Sequence, residues 1–161
     1  MIIGIDPGQT GALAFYEHGK IVAVVDMPVM ARTHGKGQQV DPYALATLIL
    51  ENNGARGVAV MEQVDGRPRV KKGTKEPVSM GGTSSFNFGD SFGAVRGVLG
   101  ALQISLRMAP PHRWKKSAGL IGKDKDAARA LAIQLHPEVA DQLTRKKDIG
   151  RADAVCIARF G

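Results

Sequence analysis

At 161 residues the chain fits one domain with a real core, and its 43% hydrophobic and 5% aromatic content requires that core to be mainly aliphatic and alanine-rich, as in an α/β protein. A formal net charge of +7 points to a polyanionic partner, usually nucleic acid, the plainer alternative being a basic protein with no such partner. No apolar stretch approaches the length that spans a bilayer, and the N-terminus lacks the basic segment and cleavage site of a secretory signal, so a cytoplasmic protein with no membrane partner is expected.

Three strands come first, in quick succession: IIGID, ALAFY and IVAVVDM. They are short and rich in β-branched or aromatic residues, and the turn signals PGQTG and EHGK separate them. Connections this short favour an antiparallel meander. MPVMARTHGKGQQV is polar and Gly-rich and reads as a loop. DPYALATLILENNG reads as a helix, with Asp41 as N-cap, Pro42 in the first turn, and Leu45, Leu48 and Ile49 on one face. GVAVMEQV is the fourth strand, apolar until Glu62.

The segment that follows, through Thr83, has no apolar period, many glycines and dense basic charge, and reads as a long functional loop. SSFNFGDSFGAVRGVLGAL reads as a helix whose glycines predict close packing against a neighbouring helix. ISLRMAPP is the fifth strand; PHRWKKSAG and KDKDAARALAIQLHP are helices; the last helix starts near Ile149. That last helix carries the single cysteine, Cys156, in an apolar run, which excludes an intrachain disulfide and marks a core residue of a reducing compartment. Helices interleaved with the later strands imply parallel pairing there. No repeat or linker divides residues 1–161.

Four acids stand out. Asp6 and Glu62 each end an apolar strand, and Asp148 and Asp153 lie before and early in the last helix. Singly, each has an ordinary explanation: a turn cap for Asp6, an arginine partner for Glu62, an N-cap for Asp148. Together they are harder to dismiss, because strand ends on one edge of a sheet converge and a helix packed beside them can add its own carboxylates. Such a cluster repels itself unless hard cations hold it, and Mg²⁺ prefers oxygen ligands. Basic residues flank the acids: Arg67, Arg69, Lys71, Lys72 and Lys75 after Glu62, then Arg113, Lys115, Lys116, Lys123 and Lys125 after strand five. Their clustering in loops beside the acids argues for contact with DNA phosphates. Trp114, between Arg113 and Lys115, is ambiguous, and the histidines show no metal-ligand spacing.

GIDPGQTGALAF, VAVMEQV, FNFGDSFGAVRGVL, PPHRWKK and GRADAVCIA, in this order, resemble the successive motifs of RuvC-type Holliday junction resolvases of the ribonuclease H-like superfamily. The resemblance implies a ribonuclease H-like α/β fold. Its mixed five-stranded sheet, a three-strand antiparallel meander plus two parallel strands, is flanked by helices. It further implies a metal-dependent endonuclease that acts as a homodimer on four-way DNA junctions and uses no nucleotide cofactor. By position, Asp6, Glu62 and Asp153 match the family's metal-binding acids, with Asp6 bridging two Mg²⁺ ions (Mn²⁺ a substitute) about 4 Å apart. The family's fourth ligand falls at Gly150 here, leaving Asp148 as the nearest replacement. Lys115 matches a lysine near the scissile phosphate, and Lys125 matches a second basic position loosely. Where the family can carry an aromatic side chain after the Glu-Gln-Val motif, this chain has Asp65. It also has an extended basic loop from Gly66 to Gly82, which points to a phage member acting in a bacterial or phage-infected cell. The helix from Ser84 to Leu102 is the candidate dimer interface.

Three rival readings are open to the same residues. GIDPGQTG also resembles the first phosphate loop of the actin, sugar-kinase and Hsp70 superfamily, but this chain is too short for two such lobes and lacks a second loop. A nuclease of the same fold acting on RNA–DNA hybrid would carry the same acids. A binding protein without activity would have no use for carboxylates beside phosphate.

Overall fold

In the computed structural model, residues 1–33, 36–64, 69–70, 77–78, 81–124 and 126–161 are described. In chain order the elements are β1 (Ile2–Asp6), β2 (Ala12–Glu17), β3 (Lys20–Asp26), β4 (Val29–Ala31), β5 (Gln38–Val40) and α1 (Pro42–Glu51). Then come β6 (Val58–Glu62), the two-residue β7 (Arg69–Val70) and β8 (Pro77–Val78), α2 (Gly82–Ala101), β9 (Ser105–Ala109) and α3 (Pro111–Ser117). Last are α4 (Ala127–Leu135), two 3₁₀ segments (Pro137–Leu143 and Lys146–Asp148) and α5 (Ile149–Phe160). No described helix is long and apolar enough to cross a membrane.

The main sheet has the order β3-β2-β1-β6-β9. The first three strands are the expected antiparallel meander, and β6 and β9 add in parallel to β1, each reached through a helical crossover. β1, β3, β6 and β9 therefore all end at one edge of the sheet, where Asp26, Asp6, Glu62 and Ala109 lie in a row.

The two faces of the sheet differ in side-chain size, and this decides which helices cover them. Ile3, Ile5, Leu13 and Phe15 point to one face, where they pack with Leu45 and Ile49 of α1 and Val95 and Leu99 of α2. On the other face Gly4, Ala12 and Ala14 leave little between sheet and helix, and α5 lies directly on them. A Cβ at Gly4 would stand 2.2 Å from the Ala154 carbonyl oxygen and 2.4 Å from the Ala158 nitrogen. Only glycine admits that approach, which brings the α5 backbone, and with it Asp153, down onto β1.

The helix boundaries follow local chemistry. Asp41 caps α1 by accepting from the Ala44 N–H at 3.0 Å, with Pro42 in the first turn. Two expectations need correction. The segment 27–40 is not a plain loop: β4 and β5 form a hairpin there, anchored by the Asp41 N–H donating to Pro28 O and by Arg32, which donates to Gln38 O and pairs with Asp90 of α2. The glycines of α2 do not mark close packing within this chain either. Ser91, Val95, Val98 and Leu99 face the core, whereas Gly89, Gly93, Gly97 and Gly100 lie on the opposite side, where an added Cβ would meet nothing within 4 Å.

Cys156 is a core residue as expected. It is buried, with Sγ donating to Ala128 O, and burial pushes its thiol up to about 12.

Candidate active site

The parallel register that pairs Ile5 with Met61 sets Asp6 beside Glu62 at the next rung, where both strands stop. The chain leaves β1 through a tight turn. Gly11 N–H donates to Gly8 O at 2.9 Å, and Gly8 N–H donates to Asp6 Oδ1 at 3.3 Å. A Cβ at Gly11 would meet Asp6 O at 2.1 Å and Asp6 Cγ at 2.9 Å, so glycine there lets the turn fold back under the carboxylate. The Asp6 carboxyl is pushed up to about 6. Burial is the main cause and the charge of Glu62 adds to it; the Gly8 N–H and the charge of Lys115 oppose it.

Glu62 is held from the next strand along. Ala109 of β9 pairs with Glu62, and α3 begins two residues later. α3 buries Trp114 completely and aims its indole Nε1–H at Glu62 Oε1, 3.1 Å away. Lys115 Nζ lies 5.0 Å from the centroid of that indole ring, and its charge reaches Asp6. Trp114 thus positions an acid, a role its sequence context leaves open. The sign is the Pro110-Pro111 start of α3, which sets a buried aromatic directly after the strand beside Glu62.

α5 approaches from the other side. A Cβ at Gly150 would stand 2.5 Å from Thr10 O and 3.3 Å from Asp6 Oδ2. The position where the resemblance places a fourth ligand is therefore packed against the Asp6 turn, with no room for a side chain. Asp153 lies three residues on, along the same helix face. Among the described residues, no three His, Cys, Asp or Glu side chains are gathered closely enough to hold one ion. The structure brings Asp6, Glu62 and Lys115 together and leaves Asp153 on the adjoining helix.

Asp148 stands apart from this group. It is buried, and accepts from Arg145 N at 2.8 Å, Arg145 Nη2 at 2.7 Å and Arg145 Nε at 3.0 Å. Those bonds hold its carboxyl below the usual carboxylate range. Its oxygens are committed to Arg145 and turned back along the chain.

Of the expected basic residues, Arg113, Lys116 and Lys123 are exposed. Arg67, Lys71, Lys72, Lys75 and Lys125, like Asp65 and most of the 66–82 loop, lie outside the described residues, and of Arg69 only the backbone, in β7, is described.

A mixed sheet whose central strands end in carboxylates, crossed by a C-terminal helix carrying another, is the ribonuclease H-like arrangement, and comparison with solved structures shows that fold. Thermus thermophilus RuvC in complex with a Holliday junction substrate superposes with a TM-score of 0.58 at 13% identity, over 98% of this chain and 89% of that one. A second structure of RuvC from the same organism gives 0.54 at 15% identity, over 98% and 90%.

In sequence, the chain is 34% identical over 151 residues to the chloroplastic Holliday junction resolvase MOC1 of Chlamydomonas reinhardtii, a match covering 86% of this chain. It is thus a homologue of a stretch of that resolvase, and spans 17% of its length. No protein-family model matches the chain.

Proposed function

We propose that the chain is a structure-selective endonuclease that hydrolyses phosphodiesters in four-way DNA junctions. The observation that carries this reading is the Asp6–Glu62 pair at the adjoining ends of β1 and β6, with Lys115 beside it, in a chain homologous to part of a junction resolvase. Two carboxylates set side by side, one with its carboxyl raised to about 6 by burial and by its neighbour's charge, make a donor pair suited to a hard divalent cation. Asp6 and Glu62 would hold such an ion, and Asp153, three residues after Gly150 on α5, is proposed as the third acid. Mg²⁺ fits this oxygen-donor set, Mn²⁺ being the substitute. Bound there, divalent ions would activate the attacking water and stabilise the leaving 3′-oxygen.

The chain's own groups do the rest. Trp114 fixes Glu62 through its indole N–H, Gly8 N–H orients Asp6, and Lys115 offers positive charge to the phosphate next to them. Asp148 is assigned to structure rather than to the ligand set, because Arg145 occupies its oxygens. Arg113, Lys116 and Lys123, together with the basic residues of the 66–82 loop and Lys125, are assigned to phosphate contact.

Two cuts in opposed strands of a junction need two sites at fixed separation, so a two-fold homodimer belongs to the proposal. It is supported by the outward face of α2, where Phe86 is 68% exposed on the same side as the glycines. A cytoplasmic location is kept as part of the same proposal; the Chlamydomonas relative is chloroplastic.

The test is a substrate panel: an immobile four-way junction, a linear duplex and an RNA–DNA hybrid, each with Mg²⁺ or with EDTA. Paired cuts in the junction, dependent on the divalent ion, are expected. Equal or faster cleavage of the hybrid would replace the junction reading with that of a hybrid nuclease.

A second expectation concerns Trp114. Trp114→Phe keeps an aromatic ring but removes a hydrogen bond to a charged group, of the kind that contributes roughly 1.5–3 kcal/mol. Cleavage at subsaturating Mg²⁺ should drop about tenfold, with partial recovery at high Mg²⁺ and unchanged junction affinity. A purely structural role for the indole would instead lower the melting temperature and leave the Mg²⁺ dependence alone.

A further inference from the structure

At the site's edge of the sheet the strand ends run in the order Asp26, Asp6, Glu62, Ala109. On the Ala109 side, α3 supplies Lys115 and Lys116. The Asp26 side also carries charge that the proposed function does not use. Arg145, Lys146 and Lys147 form a run of three cations directly before α5. The structure places the start of this run at the same edge. Arg145 is close enough to Asp26 and Arg151 to feel both charges, and Gly150, three residues after Lys147, packs on Thr10 and the Asp6 carboxylate.

Three arginine–carboxylate pairs lie at this corner. Arg151 clasps Asp26 through two hydrogen bonds, Arg129 clasps Asp126 while donating to Leu143 O, and Arg145 clasps the buried Asp148. Each pair cancels its own charge. Lys146 and Lys147 are left over: both are exposed, and neither makes an ion pair among the described residues. Asp126 feels the charge of Lys146 but is already bound to Arg129. Two exposed ammonium groups beside these pairs add net positive charge to this corner.

We propose that Lys146 and Lys147, on the shoulder formed by the Arg145–Asp148 clasp, are a second phosphate-binding surface that grips the DNA strand on the side of the acids opposite α3. This rests on the reading of the chain as a junction nuclease and adds residues to its interface. Lys147 precedes by three residues Gly150, which packs on the Asp6 carboxylate, so the contacted phosphates would be near neighbours of the one over Asp6. With α3 on the other flank, a strand crossing the sheet edge would meet cations on both sides of the acid pair.

The experiment measures junction binding by Asp6→Asn, which can bind without cutting, across a salt series. The same background then carries Lys146→Gln plus Lys147→Gln, or Arg113→Gln plus Lys116→Gln as the comparison on the α3 side. Removing one lysine–phosphate interaction should reduce the slope of log affinity against log salt by about 0.9. The 146/147 pair should therefore flatten the slope by about 1.8, and weaken binding in low salt, with the melting temperature unchanged. An unaltered slope in the 146/147 pair, with a flattened one in the 113/116 pair, would overturn this surface and leave the nuclease reading standing. Failure of the Asp6→Asn parent to bind junction or duplex at any salt would overturn both.

Discussion

Asp6→Asn is expected to abolish junction cleavage, by at least about a thousandfold, while making the protein more stable at neutral pH. Under the proposed function the loss follows from removing one of the two carboxylates that would hold the cation, whose transition-state stabilisation is worth several kcal/mol. The gain follows from the position of the side chain. An aspartate ordinarily ionises near 3.8, and burial moves this one to about 6. Between those values the folded protein keeps the proton while the unfolded chain has lost it, so folding weakens as pH rises through that window and bears the full cost above pH 6. Two pK units correspond to roughly 3 kcal/mol, of which about 2 kcal/mol should be recovered by an uncharged Asn that can still accept from Gly8 N–H. For a chain of this length that is a rise of roughly 5 °C in melting temperature at pH 7, absent below pH 4 where both forms are neutral. Mg²⁺ should reverse the ranking. It stabilises the wild type by about 2.7 kcal/mol at a hundred times its dissociation constant, and leaves Asp6→Asn unmoved. A melting series in pH and Mg²⁺ reads both effects. Lower stability of the variant at pH 7 without metal would mean that Asp6 is a turn cap and not a strained ligand.

The strands and most helices are legible in the sequence because their signals are local. Alternating aliphatic residues bounded by PGQTG and EHGK specify the meander, and Asp41-Pro42 specifies the start of α1. The acids at the ends of β1 and β6 are legible for the same reason: a charge that terminates an apolar strand is visible in one dimension. What the sequence hides are contacts between distant segments. β4 and β5 have three residues each and no apolar alternation, and the hairpin is anchored by Arg32 reaching Asp90, 58 residues away. Glycines in α2 signal small volume but not which way they face; the helix phase set by Val95, Val98 and Leu99 turns them outward. Trp114 is ambiguous in sequence because its partner Glu62 lies 52 residues earlier. Gly150 reads in one dimension as a missing ligand. In the structure it is the residue that lets α5 rest on the Asp6 turn, as Gly4 lets the same helix rest on β1.

Asp148 offers the sharpest separation of a ligand from a structural acid. In the folded protein it accepts three short hydrogen bonds from Arg145, one from the backbone and two from the guanidinium, and is itself 3% exposed. Asn at this position keeps one acceptor oxygen and sets an NH₂ against the guanidinium, so at least one charge-assisted bond is replaced by opposed donors. Such bonds contribute roughly 1.5–3 kcal/mol, and Arg145 is half exposed and can turn to water, so the expected loss is about 2 kcal/mol. Its pH dependence runs opposite to that of Asp6. The Asp148 carboxyl is held below its ordinary value, so its contribution is fully present above about pH 4 and fades as the pH falls through the depressed folded-state value. The gap between wild type and Asp148→Asn should therefore close in acid, where the gap for Asp6→Asn closes too but from the other sign. Cleavage by Asp148→Asn, measured well below its melting temperature and at saturating Mg²⁺, should stay within about tenfold of wild type, because Arg145 occupies the Asp148 oxygens and the proposed ligand set does not use them. A thousandfold loss of cleavage at unchanged stability would return Asp148 to the ligand set and require Arg145 to release it when metal binds.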